Sequence, residues 1–263
     1  MSDLNPTRPR TPMSLTATDR PLPPLAPRAW LRYDVVSRII DRLAPRTALE
    51  IGCGQGAFGA RLAMRADYLG VEPDADSFAV AYERITCMGG TVLNAMSSEL
   101  DSERTYDMVC AFEVLEHIED DKGALAEWVT HIRPGGQLVL SVPAFQERFG
   151  PMDRHAGHFR RYSPSELTER LEEAGLGEVD ITVYGWPLGY ALEAVRNRID
   201  ARKLEKVGDL TPEELTRATG RTFQPSGQLK GAAIALATSP FMALQRLRPD
   251  TGTGLVAVAT KLD

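Results

Sequence analysis

Apolar and polar positions recur with two different periods along this chain, and each change of period marks an element. Leu31, Val35, Val36, Ile39, Ile40 and Leu43 return at helical spacing, so an amphipathic helix is expected from about Arg28. Beyond Pro45 short apolar runs take over. Strands are expected at Thr47–Ile51, Tyr68–Val71, Thr91–Leu93, Met108–Phe112, Leu138–Val142, Val179–Tyr184 and Gly254–Thr260. Helical patterns fill the gaps at Ala57–Arg65, at Asp76–Ile85, and over Leu125, Trp128, Val129 and Ile132. Pro134-Gly135-Gly136 reads as the stop of that third helix. Ser163-Pro164-Ser165-Glu166 is a capping box with proline at the first helical position, opening a helix that ends at Gly175.

Strands alternating with helices, each strand nearly continuous in apolar residues, imply an α/β fold. Its sheet is mostly parallel and seven-stranded, with helices on both faces. Two segments break the pattern. Residues 1–27 carry seven of the 18 prolines and few large apolar side chains, and read as a disordered or loosely draped arm. Residues 28–263 form the domain. Within it, residues 185–253 interrupt strands six and seven with a helix candidate at Ala191–Val207 and a second capping box at Thr211-Pro212-Glu213-Glu214. An insertion of that length is expected to be functional, here a cap over a site or a dimer contact. Its apolar residues (Leu188, Tyr190, Phe241, Met242, Leu244 and Leu247 among them) read as a pocket wall or, with more weight, as the core of two helices. The Leu229–Leu236 run would also suit a membrane surface, although basic residues near it are sparse.

Composition narrows the partners. A net charge of −6 argues against a nucleic-acid partner, which calls for a basic face. Cys53, Cys87 and Cys110 lie in apolar stretches without CxxC spacing, so a reducing, cytoplasmic setting is expected and a disulfide framework or zinc site is not. No stretch approaches the length of a transmembrane segment, and the first residues lack the apolar core of a signal peptide. A monomer or a homodimer fits equally.

The candidate chemistry begins where the first strand runs into Glu50-Ile51-Gly52-Cys53-Gly54-Gln55-Gly56. Glycines there allow a tight turn and close approach of a ligand, and the next helix offers unpaired amides. Glu72 ends the second strand, where a carboxylate can take both ribose hydroxyls. These features point to a nucleoside-containing cofactor without selecting one, since Gly54-Gln55-Gly56-Ala57-Phe58-Gly59 also fits a dinucleotide fingerprint.

EIGCGQG resembles motif I of the class I S-adenosylmethionine-dependent methyltransferases, and GVEPD their acidic second-strand motif. YDMVCAFEVLEHIED and RPGGQLVLSVP resemble the fourth and fifth strands of the branch that includes ubiquinone-biosynthesis O-methyltransferases. The likeness spans roughly residues 30–184 and a last strand, GTGLVAVATK, which suits the antiparallel seventh strand of that family. It implies a Rossmann-like domain, S-adenosylmethionine as cofactor, and methyl transfer to a small-molecule acceptor, with O-methylation in cofactor or secondary metabolism favoured. A nicotinamide-dependent oxidoreductase and a cofactor-binding protein without turnover are the alternatives.

Carried over by position, the resemblance assigns Glu50, Gly52, Cys53, Gly54 and Gly56 to the cofactor loop, Glu72 to the ribose and Pro73 to the adenine border. Phe112, Glu113 and Val114 line the methionine side. Where the family often places an aspartate near the adenine amine, this chain departs from the pattern with Asn94 and Ala95, so Asn94 or a backbone group is expected to substitute. Transfer to an oxygen acceptor calls for positioning and a general base. Asp153–Ser163 is the one dense cluster of suitable groups: His155 and His158 are the base candidates, with anchoring of the loop as the alternative. Arg160 and Arg161 would bind an anionic acceptor, Tyr162 would hydrogen-bond it, and Trp186 would line its pocket; one arginine of the pair is expected in a structural salt bridge. Asp153, His155 and His158 match no strong metal signature, so no metal is expected. His117 reads as packing or capping, and His131 as solvent-facing.

Overall fold

The computed structural model describes residues 21–204 and 227–262. Its sheet has the order β3-β2-β1-β4-β5-β7-β6. The strands are β1 (Thr47–Ile51), β2 (Asp67–Val71), β3 (Thr91–Leu93), β4 (Tyr106–Phe112), β5 (Ile132–Pro143), β6 (Leu176–Gly185) and β7 (Gly252–Lys261). The first five pair in parallel, while β7 runs antiparallel to both β5 and β6. The expected seven-stranded, mostly parallel, Rossmann-like sheet with its antiparallel last strand is therefore the observed one.

Strand alternation divides the core into two halves, because successive side chains leave a strand on opposite faces. From β4, Val109 and Ala111 enter the layer that holds Trp128, Leu167 and Leu171. Met108, Cys110 and Phe112 enter the other, with Leu31, Val36, Phe58 and Ile85. The first layer is covered by α4 (Asp121–Thr130) and α6 (Pro164–Glu173). The second is covered by α1 (Pro27–Leu43), α2 (Gly59–Leu62) and α3 (Ala75–Thr86). Ser163 caps α6 as its spacing requires: its N–H reaches Glu166 Oε2 at 2.8 Å and its Oγ accepts from the Glu166 N–H at 3.2 Å.

Four local expectations need correction. Helix α2 is a single turn, because the glycine loop occupies the residues before it and regular helix starts only at Gly59. Pro134-Gly135-Gly136 does not stop a helix. Helix α4 ends at Thr130, and the three residues form an irregularity inside β5, where the register against β4 shifts between Tyr106 and Met108. Ile132 thus belongs to a strand, paired with Tyr106. His131 is buried rather than solvent-facing, with Nε2 3.0 Å from Glu127. Residues 21–26 of the expected arm are docked: Arg61 Nη2 donates to the Pro23 carbonyl at 2.8 Å, and Leu25 is buried. The rest of the arm lies outside the described residues.

The insertion supplies α7 (Leu188–Leu204) and α8 (Gln228–Gln245). The candidate cap box at Thr211 and the expected end of the first helix at Val207 lie outside the described residues. Helix α8 packs on α1, where Gln245 Nε2 donates to the Leu31 carbonyl and to Asp34. Its Phe241 and Met242, with Leu188 of α7, face the second core layer, whereas Leu229, Leu236 and the following Leu247 are exposed. Most of the apolar material of the insertion that turns inward is therefore core. No helix among the described residues is long and apolar enough to cross a membrane.

Candidate active site

The carboxyl ends of β1, β2 and β4 meet at one edge of the sheet, and there the backbone takes conformations that a side chain resists. Gly52, Gly54 and Gly56 have φ of +66°, +54° and +74°. A Cβ on Gly52 would lie 2.8 Å from Val114 Cγ2, so the loop closes directly on the end of β4; above Gly54 the space is open. Glu72 reaches across from β2: its Oε2 accepts from the Gly54 N–H at 2.8 Å and its Oε1 from the Asp74 N–H at 2.9 Å. Asn94 ties β3 to the same place, donating to the carbonyls of Glu72 and Pro73 at 2.8 and 3.0 Å. Ala95 follows it, half-buried. Glu50 lies beneath the loop, buried, and accepts from Tyr68 Oη at 2.6 Å. Burial pushes its carboxyl up to about 8. Cys53 is buried too, its N–H holding the loop to the Val71 carbonyl at 3.0 Å. Burial also raises its thiol.

A second set of groups gathers at the end of β4. Phe112 is buried against Phe58. Glu113 takes the left-handed conformation, at φ +59°, which is uncommon outside glycine and is held where a site over-determines it. Its carboxylate meets Arg32 Nη1 of α1 at 3.2 Å and Ser141 Oγ at 3.2 Å. Burial pulls this carboxyl upward, but Arg32, then Arg28, hold it below the ordinary value. Glu116, one turn on, is fully buried with neither carboxyl oxygen hydrogen-bonded. Burial and then the charge of Glu113 raise its carboxyl well above the ordinary range.

The two histidines chosen as base candidates separate. His158 joins the β4 groups. Its Nδ1 lies 2.9 Å from Asp153 Oδ1, its Nε2 lies 3.9 Å from Glu116, and its ring meets that of His117 edge-on at 4.6 Å. His155 instead faces α7, with Nε2 3.9 Å from Asp200, and burial lowers its imidazole. His117 is lowered to about 3 by burial, then by His158, and so stays neutral. Glu116, His117 and His158 each bring a ligand atom within 4.8 Å of the others, a set fit for a metal ion. That set differs from Asp153, His155 and His158, the group weighed from spacing.

The arginines and the tyrosine of this loop belong to its scaffold. Arg161 is fully buried and gives both Nε and Nη2 to Asp153, at 2.8 and 2.7 Å, and Nη1 to Glu193 of α7 at 3.1 Å. Its guanidinium is thus turned to these two buried carboxylates rather than to an anionic acceptor. Arg160 pairs with Asp121 at 2.9 Å, and Tyr162 Oη donates to the same carboxylate at 3.0 Å. Both were expected to touch an acceptor, and both are turned to α4 instead. Trp186 lies under the guanidinium of Arg248, 5.5 Å from its ring centre. Residues that the sequence reading did not single out take part: Arg28 and Arg32 one helical turn apart on α1, Glu116, and Tyr184, whose Oη reaches Glu113 at 3.5 Å. The periodicity of α1 marks its buried face, but nothing in it says which functional groups that face will meet.

Comparisons with known proteins give the chain's family and fold. A family model described as a methyltransferase domain matches residues 28–180. A probable S-adenosylmethionine-dependent methyltransferase of Mycobacterium tuberculosis is 30% identical over 261 residues, 95% of this chain and 91% of that protein. A ubiquinone biosynthesis O-methyltransferase of Nitrosomonas europaea is 27% identical, covering 62% of this chain and 79% of the other. Among solved structures, the N-methyltransferase NodS of Bradyrhizobium japonicum in complex with S-adenosylhomocysteine superposes with a TM-score of 0.54 at 17% identity. The match covers 88% of this chain and 86% of that one.

Proposed function

Since the chain belongs to the S-adenosylmethionine-dependent methyltransferases, we propose that it methylates a hydroxyl of a small molecule, with His158 as the base. The dehydrogenase alternative falls with that membership. The cofactor supplies a methyl group on a sulfonium, an excellent leaving group, so the protein chiefly orients the acceptor and takes its proton.

The residues fit the cofactor. The left-handed glycines leave an open cradle at Gly54, and Glu72 stands beside it with both oxygens fixed by backbone amides. In this reading Glu50, Gly52, Cys53, Gly54 and Gly56 shape the loop, Glu72 takes the ribose, and Pro73, Asn94 and Ala95 border the adenine. Phe112, Glu113 and Val114 bound the methionine portion.

The observation that carries the base assignment is the Asp153–His158 pair. Asp153 holds Nδ1 as the donor, which leaves Nε2 as the acceptor directed to the end of β4. Asp153 is itself fixed by Arg161, and burial is outweighed by His158 and Arg161, so its carboxyl stays well below the ordinary range. His155 is left to pack α5 (Pro151–Ala156) against α7. Helices α7 and α8, tied to α5 and α1 through Asn197 and Gln245, act as the cap over the acceptor. The three free cysteines suit a reducing, cytoplasmic setting.

A His158→Ala variant should bind S-adenosylhomocysteine like the parent yet lose turnover, by about 100-fold or more, in a labelled-methyl assay against phenols and sugars. Unchanged turnover would end the assignment. The metal-competent set Glu116, His117 and His158 supports a second reading, in which a divalent cation positions the acceptor oxygen. Chelation leaves turnover intact in the first reading and abolishes it in the second.

A further inference from the structure

We infer that the acceptor carries an oxyanion, a carboxylate or a phosphate, and that Arg28 on α1 is the residue that binds it. The inference rests on the methyl-transfer reading for the word acceptor, though the anion site stands on its own observations.

Arg28 is the second residue of α1. One of its terminal nitrogens, Nη1, lies 3.3 Å from the thioether sulfur of Met152, a weak acceptor, and the other, Nη2, is buried with no hydrogen-bond partner. Among the described residues no carboxylate lies within ion-pair distance of it. Every other arginine around this site is matched: Arg32 with Glu113, Arg148 with Glu193, Arg160 with Asp121, Arg161 with Asp153 and Glu193. Arg28 is half-buried, yet its Nη2 is shut off from water without a partner, which is costly unless a ligand completes it. The first turn of α1 also has no acidic side chain, so the helix dipole adds to the positive field there rather than opposing it.

Position links this cation to the reaction. Arg28 stands between α1 and α5, near enough for its charge to act on Glu113, Glu116 and Tyr184, of which Glu116 lies 3.9 Å from His158 Nε2 and Tyr184 Oη 3.5 Å from Glu113. A planar guanidinium meets a carboxylate or phosphate through two parallel hydrogen bonds, a geometry no neutral group reproduces. An acid on the α1 side and a reacting hydroxyl on the His158 side define a bifunctional acceptor. The arginines expected to do this work, Arg160 and Arg161, are spent on the scaffold.

The test is calorimetric titration with benzoate, phenyl phosphate and benzamide, on the free protein and on the protein saturated with S-adenosylhomocysteine. The parent should bind at least one oxyanion about tenfold more tightly than the amide, and the tighter of the two identifies the acid. Arg28→Gln should remove the preference while keeping S-adenosylhomocysteine affinity, and Arg28→Lys should keep part of it. Equal binding of acid and amide, no binding of any probe, or a preference that survives Arg28→Gln overturns the inference. Should Arg28→Gln fail to fold, the lysine variant and the three-probe comparison on the parent still decide. Failure of S-adenosylhomocysteine to bind would count against the methyl-transfer reading alone, because the free-protein titration reads the arginine independently.

Discussion

At the scale of single residues, this site depends on carboxyl groups whose surroundings drive them in opposite directions. Asp153 and Glu113 are held ionised by cations, whereas Glu50 and Glu116 are pushed toward the acid form by burial. Glu50 gives a measurable consequence. Its carboxyl titrates near 4.5 in an unfolded chain and near 8 in the fold, so between those values the folded protein holds a proton that the unfolded chain lacks. Stability from this group is full below pH 4.5 and is lost as pH rises through 8. Thermal unfolding of Glu50→Gln between pH 5 and 9 should be flatter than the parent's, and the variant should melt higher at the alkaline end. Parallel curves for the two proteins would show that Glu50 titrates normally. The glycine loop and Glu72 could be picked from the sequence because their spacing is local. Glu116 could not, since its meaning comes from a burial that no spacing reveals.

Among elements, the decisive contact is the one that joins α5, α7 and the loop before α6. Asp153, Arg161 and Glu193 form it, all buried, and it fixes the histidine that faces the site. Arg161→Met would leave buried Asp153 without its arginine and Glu193 with Arg148 alone, at a cost of about 3–5 kcal/mol and a fall in Tm of roughly 10 °C. A change under about 2 °C by scanning calorimetry would mean that both acids find other partners. The sequence showed these charges as a cluster, Asp153 to Ser163, and read them as catalytic and acceptor-binding groups or as a loop anchor with one arginine in a structural salt bridge. Only Glu193, some thirty residues away, reveals that the cluster faces inward. The same holds for Pro134-Gly135-Gly136, whose composition stops a helix or kinks a strand alike. Pairing with β4 chose the strand.

For the molecule as a whole, a cofactor that binds the folded state alone must stabilise it. S-adenosylhomocysteine at 100 times its dissociation constant should add about 2.7 kcal/mol, an upward shift in Tm of several degrees, while NAD should leave the melt unmoved. A shift with NAD and none with S-adenosylhomocysteine would contradict the cradle described for the loop and Glu72. The large-scale plan also explains why the insertion is held as it is: α7 and α8 are bonded to the two helices, α5 and α1, that flank the β4 groups. Loss of either contact should therefore be felt at the site and not only in stability.

The sequence by itself determined the α/β alternation, the strand count and the glycine loop with its acidic partner. These are written in local periodicity and in fixed offsets, which need no knowledge of what lies across the molecule. It also carried the family, through four ordered motifs. What only the tertiary structure decided is which charged groups serve the scaffold and which face the site. That choice depends on long-range pairing and burial: Arg161 finds Glu193, Tyr162 finds Asp121, and Arg28 finds no carboxylate among the described residues. A charge in a sequence has no partner until the chain folds, and the partner determines whether that charge is structural or open to a ligand.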